Sequence, residues 1–218
     1  MLEKYKTVYE GGEGEIIEKK SRFIATVRPV NTEEEALAFI EKMKKKYWDA
    51  RHNCYVYSVG KNREYTRCSD DGEPSGTAGR PMLDVILGED IYNVAVVVTR
   101  YFGGVLLGTG GLVRAYSGAV QAGLGESTVI EKHHGISLAL TADYTAIGKL
   151  QYIAAENQLP VLDTEYTDKV IMHLLVPNDQ IGRIQKVITE ATSGRIKMEK
   201  EKELYFADVE GKIKVFDH

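Results

Sequence analysis

The residues of this chain best suited to chemistry lie in a glycine-rich segment, 70–125, which holds 12 of the 21 glycines. Within it, a buried-strand pattern (Val94–Thr99) precedes a glycine-rich turn (Gly103–Gly111) and an amphipathic helix (Leu112–Leu124). The first N–H groups of a helix have no partner within the helix, and the helix dipole adds partial positive charge there. A strand, a glycine turn and a helix start together predict a site for an anion such as phosphate.

The charges around this turn favour the same interpretation. No Asp or Glu lies between Ile91 and Gly125, whereas Arg100 and Arg114 both fall within that stretch. A guanidinium group can donate two parallel hydrogen bonds to a phosphate, so both arginines are candidate ligands of the anion. An alternative stays open, in which the arginines form salt bridges with the acidic side chains of the preceding loop, Asp70–Pro81.

The acids of that loop, Asp70, Asp71 and Glu73, have two interpretations. Carboxylates bind Mg²⁺ or act as general acid and base. The composition DDGEPSG is also typical of a turn in which Asp side chains bond to the nearby backbone. Because no nucleophile–base pair accompanies the acids, catalysis is the weaker interpretation, and no catalytic residue is assigned.

The predicted binding site combines the loop acids, the two arginines and the small or aromatic positions around the turn. Its members are Asp70, Asp71, Glu73, Arg100, Tyr101, Gly103, Gly104, Gly108, Gly110, Gly111 and Arg114. Tyr101, Phe102 and Tyr116 are aromatic and could stack on nucleic-acid bases, although we expect Phe102 to fill the core.

Known nucleotide and metal motifs do not match. No Lys-Ser/Thr pair follows Gly111, as a Walker A loop requires, and Val113 stands where a dinucleotide fingerprint has its third glycine. His52, Cys54 and Cys68 lack the ligand spacing of a zinc site, so we expect two buried structural cysteines. No cofactor and no metal are therefore predicted.

The composition limits the classes of function. The chain has 218 residues, of which 43% are hydrophobic and 28% charged, as in soluble globular proteins, and this length suggests two domains. A net charge of −4 argues against sequence-blind coating of nucleic acid but allows a local basic site. Because the first residues lack the apolar core of a signal peptide, we expect a cytoplasmic protein without a membrane partner.

Hydrophobic spacing and turn residues predict an α/β arrangement in the first half of the chain. Before the glycine-rich segment, strands are predicted at Thr7–Lys19, Ser21–Val30, Asn53–Val59 and Arg63–Cys68. A helix begins after Asn31 or Thr32 and ends at Trp48, which we expect to anchor in the core. A short helix is predicted over residues 77–87.

The second half has a simpler order of elements. Its segments are strand Gly135–Thr141, helix Asp143–Gln158, strands Val161–Tyr166 and Lys169–Val176, a helix from Asn178 or Asp179 to about Ser193, and strand Arg195–Ala207. The order β-α-β-β-α-β is that of ferredoxin-like domains. We place the boundary near Glu131–Gly135, which gives domains 1–132 and 133–218.

Four segments carry a family resemblance. They are HNCYVY (His52–Tyr57), DDGEPSGTAGRP (Asp70–Pro81), VTRYFGG (Val98–Gly104) and LGTGGLVRAY (Leu107–Tyr116). With them, the sequence resembles the bacterial branch of the Impact family over essentially its whole length. The resemblance implies an α+β protein in which a domain with the ribosomal protein S5 domain 2-like fold precedes a ferredoxin-like domain similar to domain V of elongation factor G.

The resemblance also implies a connection to translation. Two such domains in tandem are similar to the last two domains of elongation factor G, which contact RNA on the ribosome. Eukaryotic members of the family act in translational control by binding a co-activator of the amino-acid-starvation kinase. We therefore expect a non-enzymatic protein that binds RNA, the ribosome or a translation-related protein. The alternative is a small-molecule or nucleotide-using enzyme with its site in the Asp70–Tyr116 cleft, and the oligomeric state is left open.

Overall fold

The computed structural model describes residues 2–216 and divides them into two compact units. One unit comprises Tyr5–Ile130, and the other comprises residues 2–4 together with the chain from Glu131 onward. Both units combine helices with β-sheet around a core of their own, so the α+β class with two domains is confirmed. Within residues 2–216, no helix is both long and apolar enough to cross a membrane.

The unit Tyr5–Ile130 contains seven strands and three helices. In chain order they are β1 (Lys4–Glu10), β2 (Glu13–Glu18), β3 (Ser21–Pro29), α1 (Glu33–Lys46), β4 (His52–Val59), β5 (Tyr65–Ser69), α2 (Gly79–Gly88), β6 (Ile91–Tyr92), β7 (Val94–Tyr101) and α3 (Thr109–Gly125). Five strands form an antiparallel sheet in the order β2-β3-β7-β4-β5. The short strand β6 pairs in parallel with β1.

The central strand β7 is buried on both of its faces, which explains its continuous apolar run VAVVV. One face, with Val96 and Val98, packs in the core that also contains residues of α2 and α3. The opposite face, with Ala95 and Val97, packs in a core with residues of α1. The sheet therefore lies between helices, and Arg100 at the end of β7 is fixed by a rigid element.

Two predictions about the segments before β4 are wrong. The predicted strand Thr7–Lys19 is two strands, because a Cβ on Gly11 or Gly12 would lie 2.0 or 2.2 Å from a backbone oxygen and the chain turns there to different partners. Trp48 is 82% exposed, because α1 ends at Lys46 and the tryptophan lies in the loop after it.

The helix of the glycine-rich segment begins earlier than its apolar pattern predicts. Helix α3 starts at Thr109 rather than Leu112, so Gly110 and Gly111 occupy its first turn. Its N-cap is Gly108, with φ 73° and ψ 168°, a conformation that glycine adopts without steric cost. A cap without a side chain leaves the start of the helix open to other groups.

The second unit has the ferredoxin-like order that the sequence predicts. Its elements are β8 (Thr128–Ala142), α4 (Ile147–Glu156), β9 (Val161–Tyr166), β10 (Val170–Pro177), α5 (Ile181–Thr192), β11 (Lys197–Val209) and β12 (Lys212–Phe216). The antiparallel sheet has the order β9-β10-β8-β11-β12, and residues of α4 and α5 share one apolar core with it. The last strand, which forms a hairpin with β11, is not predicted from the sequence.

Candidate functional site

A cavity of about 460 Å³ lies where the two chemically interesting segments of the first unit meet. The loop between β5 and α2 contributes Gly72–Pro74, and the stretch between β7 and α3 contributes Phe102 and 106–108. The start of α3 and the residues Arg51 and His52 complete the lining, together with Arg100. The volume falls within the range of about 300–1,000 Å³ that is usual for small-molecule sites.

Arg100 is the charged centre of this cavity, and it is buried, with a side chain only 7% exposed. Its Nη1 donates to Oε1 of Glu73 at 2.7 Å, and the hydroxyl of Tyr116 donates to the same oxygen at 2.8 Å. Its Nη2 lies 3.5 Å from Oγ of Ser21. The salt bridge that the sequence left as an alternative is therefore formed by Arg100, and the pair it forms with Glu73 is neutral as a whole.

The Arg100 guanidinium also lies near two aromatic rings, and its Nε makes no hydrogen bond to the described residues. The guanidinium carbon lies 5.4 Å from the ring centre of Phe23 and 5.5 Å from that of Phe102. Its Nε is buried without a hydrogen-bond partner among residues 2–216. A buried donor without a partner costs free energy, and because this atom has almost no accessible surface, a ligand would reach it only if Arg100 moved.

The predicted roles of the other aromatic residues need correction. Phe102 is 50% exposed and lines the cavity instead of filling the core, because it follows β7 and lies outside the sheet. Tyr116 is fully buried on α3, so its ring cannot stack on a base. Tyr101 lies away from the cavity lining, and its hydroxyl donates to Asp49 Oδ1 at 2.8 Å.

Asp70 holds the loop together from within. Its carboxylate accepts hydrogen bonds from the backbone N–H groups of Gly76 (2.8 Å), Ala78 (3.0 Å) and Gly79 (2.8 Å), and so caps the start of α2. Burial works against ionisation of Asp70, but the backbone N–H groups outweigh it and hold the pKa of this carboxyl below its ordinary value. Asp70 therefore stabilises the loop and does not line the cavity.

Asp71 fixes the ring of His52, which lines the cavity but is not part of the predicted binding site. Oδ2 of Asp71 accepts from the N–H of Asn53 at 2.7 Å, and its carbonyl oxygen lies 2.9 Å from Nδ1 of His52. A carbonyl oxygen only accepts, so Nδ1 of His52 carries a proton. In the neutral ring Nε2 is then an acceptor, and it has no partner among the described residues.

The glycines of the predicted site serve different purposes. A Cβ on Gly103 would lie 2.0 Å from the backbone carbon of Lys20, so this position needs glycine for close chain packing. Gly104 and Gly108 have positive φ, 85° and 73°. A Cβ on Gly111 would touch Leu107 at 3.0 Å, whereas one on Gly110 would meet only Nη1 of Arg114, at 3.6 Å. The fold gives no steric reason for glycine at position 110.

The start of α3 carries unused donors beside the cavity. The N–H of Leu112 donates to the carbonyl of Gly108, but the N–H groups of Gly110 and Gly111 make no hydrogen bond to the described part of the chain. Arg114 is exposed, lies against the first turn of α3 and forms no ion pair with residues 2–216. It stands next to the cavity without lining it.

The cavity lining contains residues that the predicted site omits, above all Arg51 and His52. The strand pairing brings them there, because His52 of β4 stands opposite Arg100 of β7. The available signal was the position of these residues directly before the predicted strand Asn53–Val59, but the sequence does not show which strand pairs with it.

The two cysteines near the site differ in environment. Cys54 is buried, and its thiol donates to the carbonyl of Asp70 at 2.9 Å. Burial is the main reason that the pKa of Cys54 rises to about 12, which keeps this thiol protonated and unreactive. Cys68 is exposed, so the prediction of two buried cysteines is wrong for this residue.

The buried ion pair predicts strongly coupled substitutions. We expect Arg100→Met and Glu73→Gln each to lower the free energy of unfolding by about 3–5 kcal/mol. Each change removes one partner of the buried pair and leaves the charge of the other partner buried without compensation. The double variant should lose clearly less than the sum of the two. Urea unfolding of the three variants measures this, and additivity within about 0.5 kcal/mol would contradict a direct interaction.

The Asp70 cap predicts a pH-dependent stability difference. Because the pKa of Asp70 is lowered in the folded protein, its contribution is present above its ordinary pKa, ~3.9, and is lost as the pH falls through the folded value. Asp70→Asn should therefore cost about 1.5–3 kcal/mol at pH 7 and progressively less in acid. Asp84→Asn, which removes an exposed ion pair with Arg80, is the matched control and should cost about 0.3–0.5 kcal/mol.

Comparison with known proteins covers both units. The family model described as the Impact N-terminal domain matches residues 19–124, and a domain of unknown function, DUF1949, matches residues 140–195. IMPACT family member YvyE of Bacillus subtilis is 43% identical over 195 residues, 89% of this chain and 90% of that protein. IMPACT family member YigZ of Escherichia coli is 32% identical over 182 residues, 83% of this chain and 89% of that protein.

A solved structure is similar to this chain in its fold over both units. The crystal structure of a hypothetical protein aligns with a TM-score of 0.59 and 29% identity, over 93% of this chain and 99% of that chain. The sequence relatives, the matched family models and the solved structure therefore agree. The chain belongs to the IMPACT family.

Proposed function

We propose that this protein is a non-enzymatic, translation-associated binding protein that holds a phosphate group of RNA at the start of α3. Its main support is the pair of unused N–H groups at Gly110 and Gly111, beside a cavity that Arg100, Thr109 and Leu112 line. A helix start with open N–H groups is a favourable position for a phosphate. The family resemblance supports the connection to translation, and a translation-related protein is the other partner to be tested.

The charges around the site indicate a contact with few phosphates. Glu73 neutralises Arg100, so the cations near the start of α3 that form no ion pair within residues 2–216 are Arg51, which lines the cavity, and Arg114. The protein as a whole has a net charge of −4. We therefore expect modest affinity and a small dependence on salt, unlike that of a protein with a broad basic surface.

The engagement of the acidic residues favours binding over catalysis. Asp70 accepts three backbone hydrogen bonds, and Glu73 is held by Arg100 and Tyr116. A general base needs a lone pair available to the substrate, whereas the hydrogen bonds to Asp70 and to Oε1 of Glu73 give both carboxylates structural roles. One observation favours the enzymatic alternative, namely the available Nε2 of His52 at the cavity.

The test is a titration with a short single-stranded RNA over a series of salt concentrations. Arg114→Ala should weaken binding about fivefold and reduce the salt slope by about 0.7, because one phosphate contact is lost. Gly110→Ala should weaken binding without changing the charge, because its methyl group covers the N–H groups, and the fold has room for it.

Two matched variants serve as controls. Arg183→Ala removes the same charge from α5, and Gly182→Ala adds the same methyl group to the first turn of α5, where nothing lies within 4 Å of it. Both should bind as the parent protein does. An RNA affinity that changes neither with salt nor in the Arg114→Ala and Gly110→Ala variants would exclude the phosphate site. Nucleotide turnover by the parent protein that is lost in His52→Ala would favour the enzymatic alternative.

A further inference from the structure

We infer that the occupant of the cavity is a single unpaired nucleotide, whose base stacks on Phe102 while its phosphate lies at the start of α3. This rests on the proposed function, which supplies the phosphate position. The shared chemistry is one phosphate next to one planar base, whether in a free mononucleotide or in a single-stranded RNA.

Phe102 is the residue that indicates a base. Its side chain is 50% exposed while lining the cavity, and the Arg100 guanidinium 5.5 Å from its ring centre helps to hold it. The ring follows a rigid strand and flanks the short segment that leads to α3. An exposed aromatic ring close to a phosphate position is the arrangement with which proteins bind single-stranded nucleic acid, because every base has a π-face.

The rest of the lining suits a flat, partly apolar group. Leu106 is 82% exposed and lines the cavity with Leu107 and Leu112. An exposed leucine gains by burial against a ligand, at about 25 cal/mol for each Å² of apolar surface removed from water. The apolar lining therefore favours a nucleotide over a bare phosphate or sugar phosphate.

A polar atom of the lining residues can read the edge of the base. Nδ1 of His52 donates to a backbone carbonyl, so Nε2 of the neutral ring is an acceptor, and it has no partner among the described residues. The bases present amino donors on their edges. Nε2 would accept from such an amino group, whereas an apolar ligand would leave it unsatisfied.

The charges of the site favour one phosphate over three. The Arg100–Glu73 pair is neutral, and Arg51 and Arg114 are the cations near the start of α3 for which residues 2–216 provide no ion pair. A triphosphate brings several negative charges, for which this site offers too few cations. A monophosphate, or a phosphodiester within RNA, matches the site better.

Isothermal titration calorimetry with four probes tests the inference: ribose 5-phosphate, adenosine monophosphate, adenosine triphosphate and a short single-stranded RNA. Adenosine monophosphate should bind the parent protein about 5- to 100-fold more tightly than ribose 5-phosphate, the contribution expected from one stacked base. It should also bind more tightly than the triphosphate. Phe102→Leu should remove the preference for the nucleotide and leave the affinity for ribose 5-phosphate unchanged.

Matched variants and probes separate the outcomes. Tyr65→Leu replaces an equally exposed aromatic residue of β5 outside the cavity and should change nothing, while Leu106→Asp gives a second test of the apolar lining. The RNA should lose binding when annealed into a duplex, because its bases are then stacked. Binding of the monophosphate without the RNA would identify a free nucleotide and overturn the RNA proposal alone.

Two further results would overturn the inference. Equal affinity for ribose 5-phosphate and adenosine monophosphate, with dependence on Gly110 intact, would exclude the base while keeping the phosphate site. Absence of binding by all four probes would exclude both the phosphate site and the nucleotide.

Discussion

The buried ion pair between Arg100 and Glu73 is the interaction on which the cavity depends. It joins the end of β7 to the loop before α2, and Tyr116 extends the connection to α3. Each partner alone would be a buried charge, so the three segments are stable in this arrangement only together. The pair also neutralises the charge of Arg100, and this explains why an arginine inside the cavity does not by itself make the site strongly basic.

The acidic loop contributes to the site through its shape. The carboxylate of Asp70 accepts hydrogen bonds from three backbone N–H groups. Asp71 accepts one from the N–H of Asn53 with its carboxylate and one from the ring of His52 with its carbonyl oxygen. With these bonds the loop presents Gly72–Pro74 to the cavity in one conformation. A site organised before binding loses little conformational freedom when its ligand arrives, which suits a pocket with few charges.

Much of the fold could be predicted from the sequence, because local patterns of apolar, charged and turn-forming residues determine many of its helices and strands. The apolar run of β7, the acidic start and basic end of α1 and the β-α-β-β-α-β order of the second unit all appear in the structure. The wrong predictions concern positions whose structure is not determined by the local sequence pattern. Gly11 and Gly12 divide a predicted strand because each packs against another backbone, and Trp48 is exposed because its helix has already ended.

For the site, the sequence by itself determined which residue types are available: a glycine-rich helix start, two arginines, and an acidic loop before them. Only the tertiary structure decided how they are used. It pairs Arg100 with Glu73, turns Asp70 into a cap, leaves Arg114 outside the cavity, and brings Arg51 and His52 into it. The reason is that pairing between strands distant in sequence and burial of charge set these partners, and neither leaves a pattern along the chain.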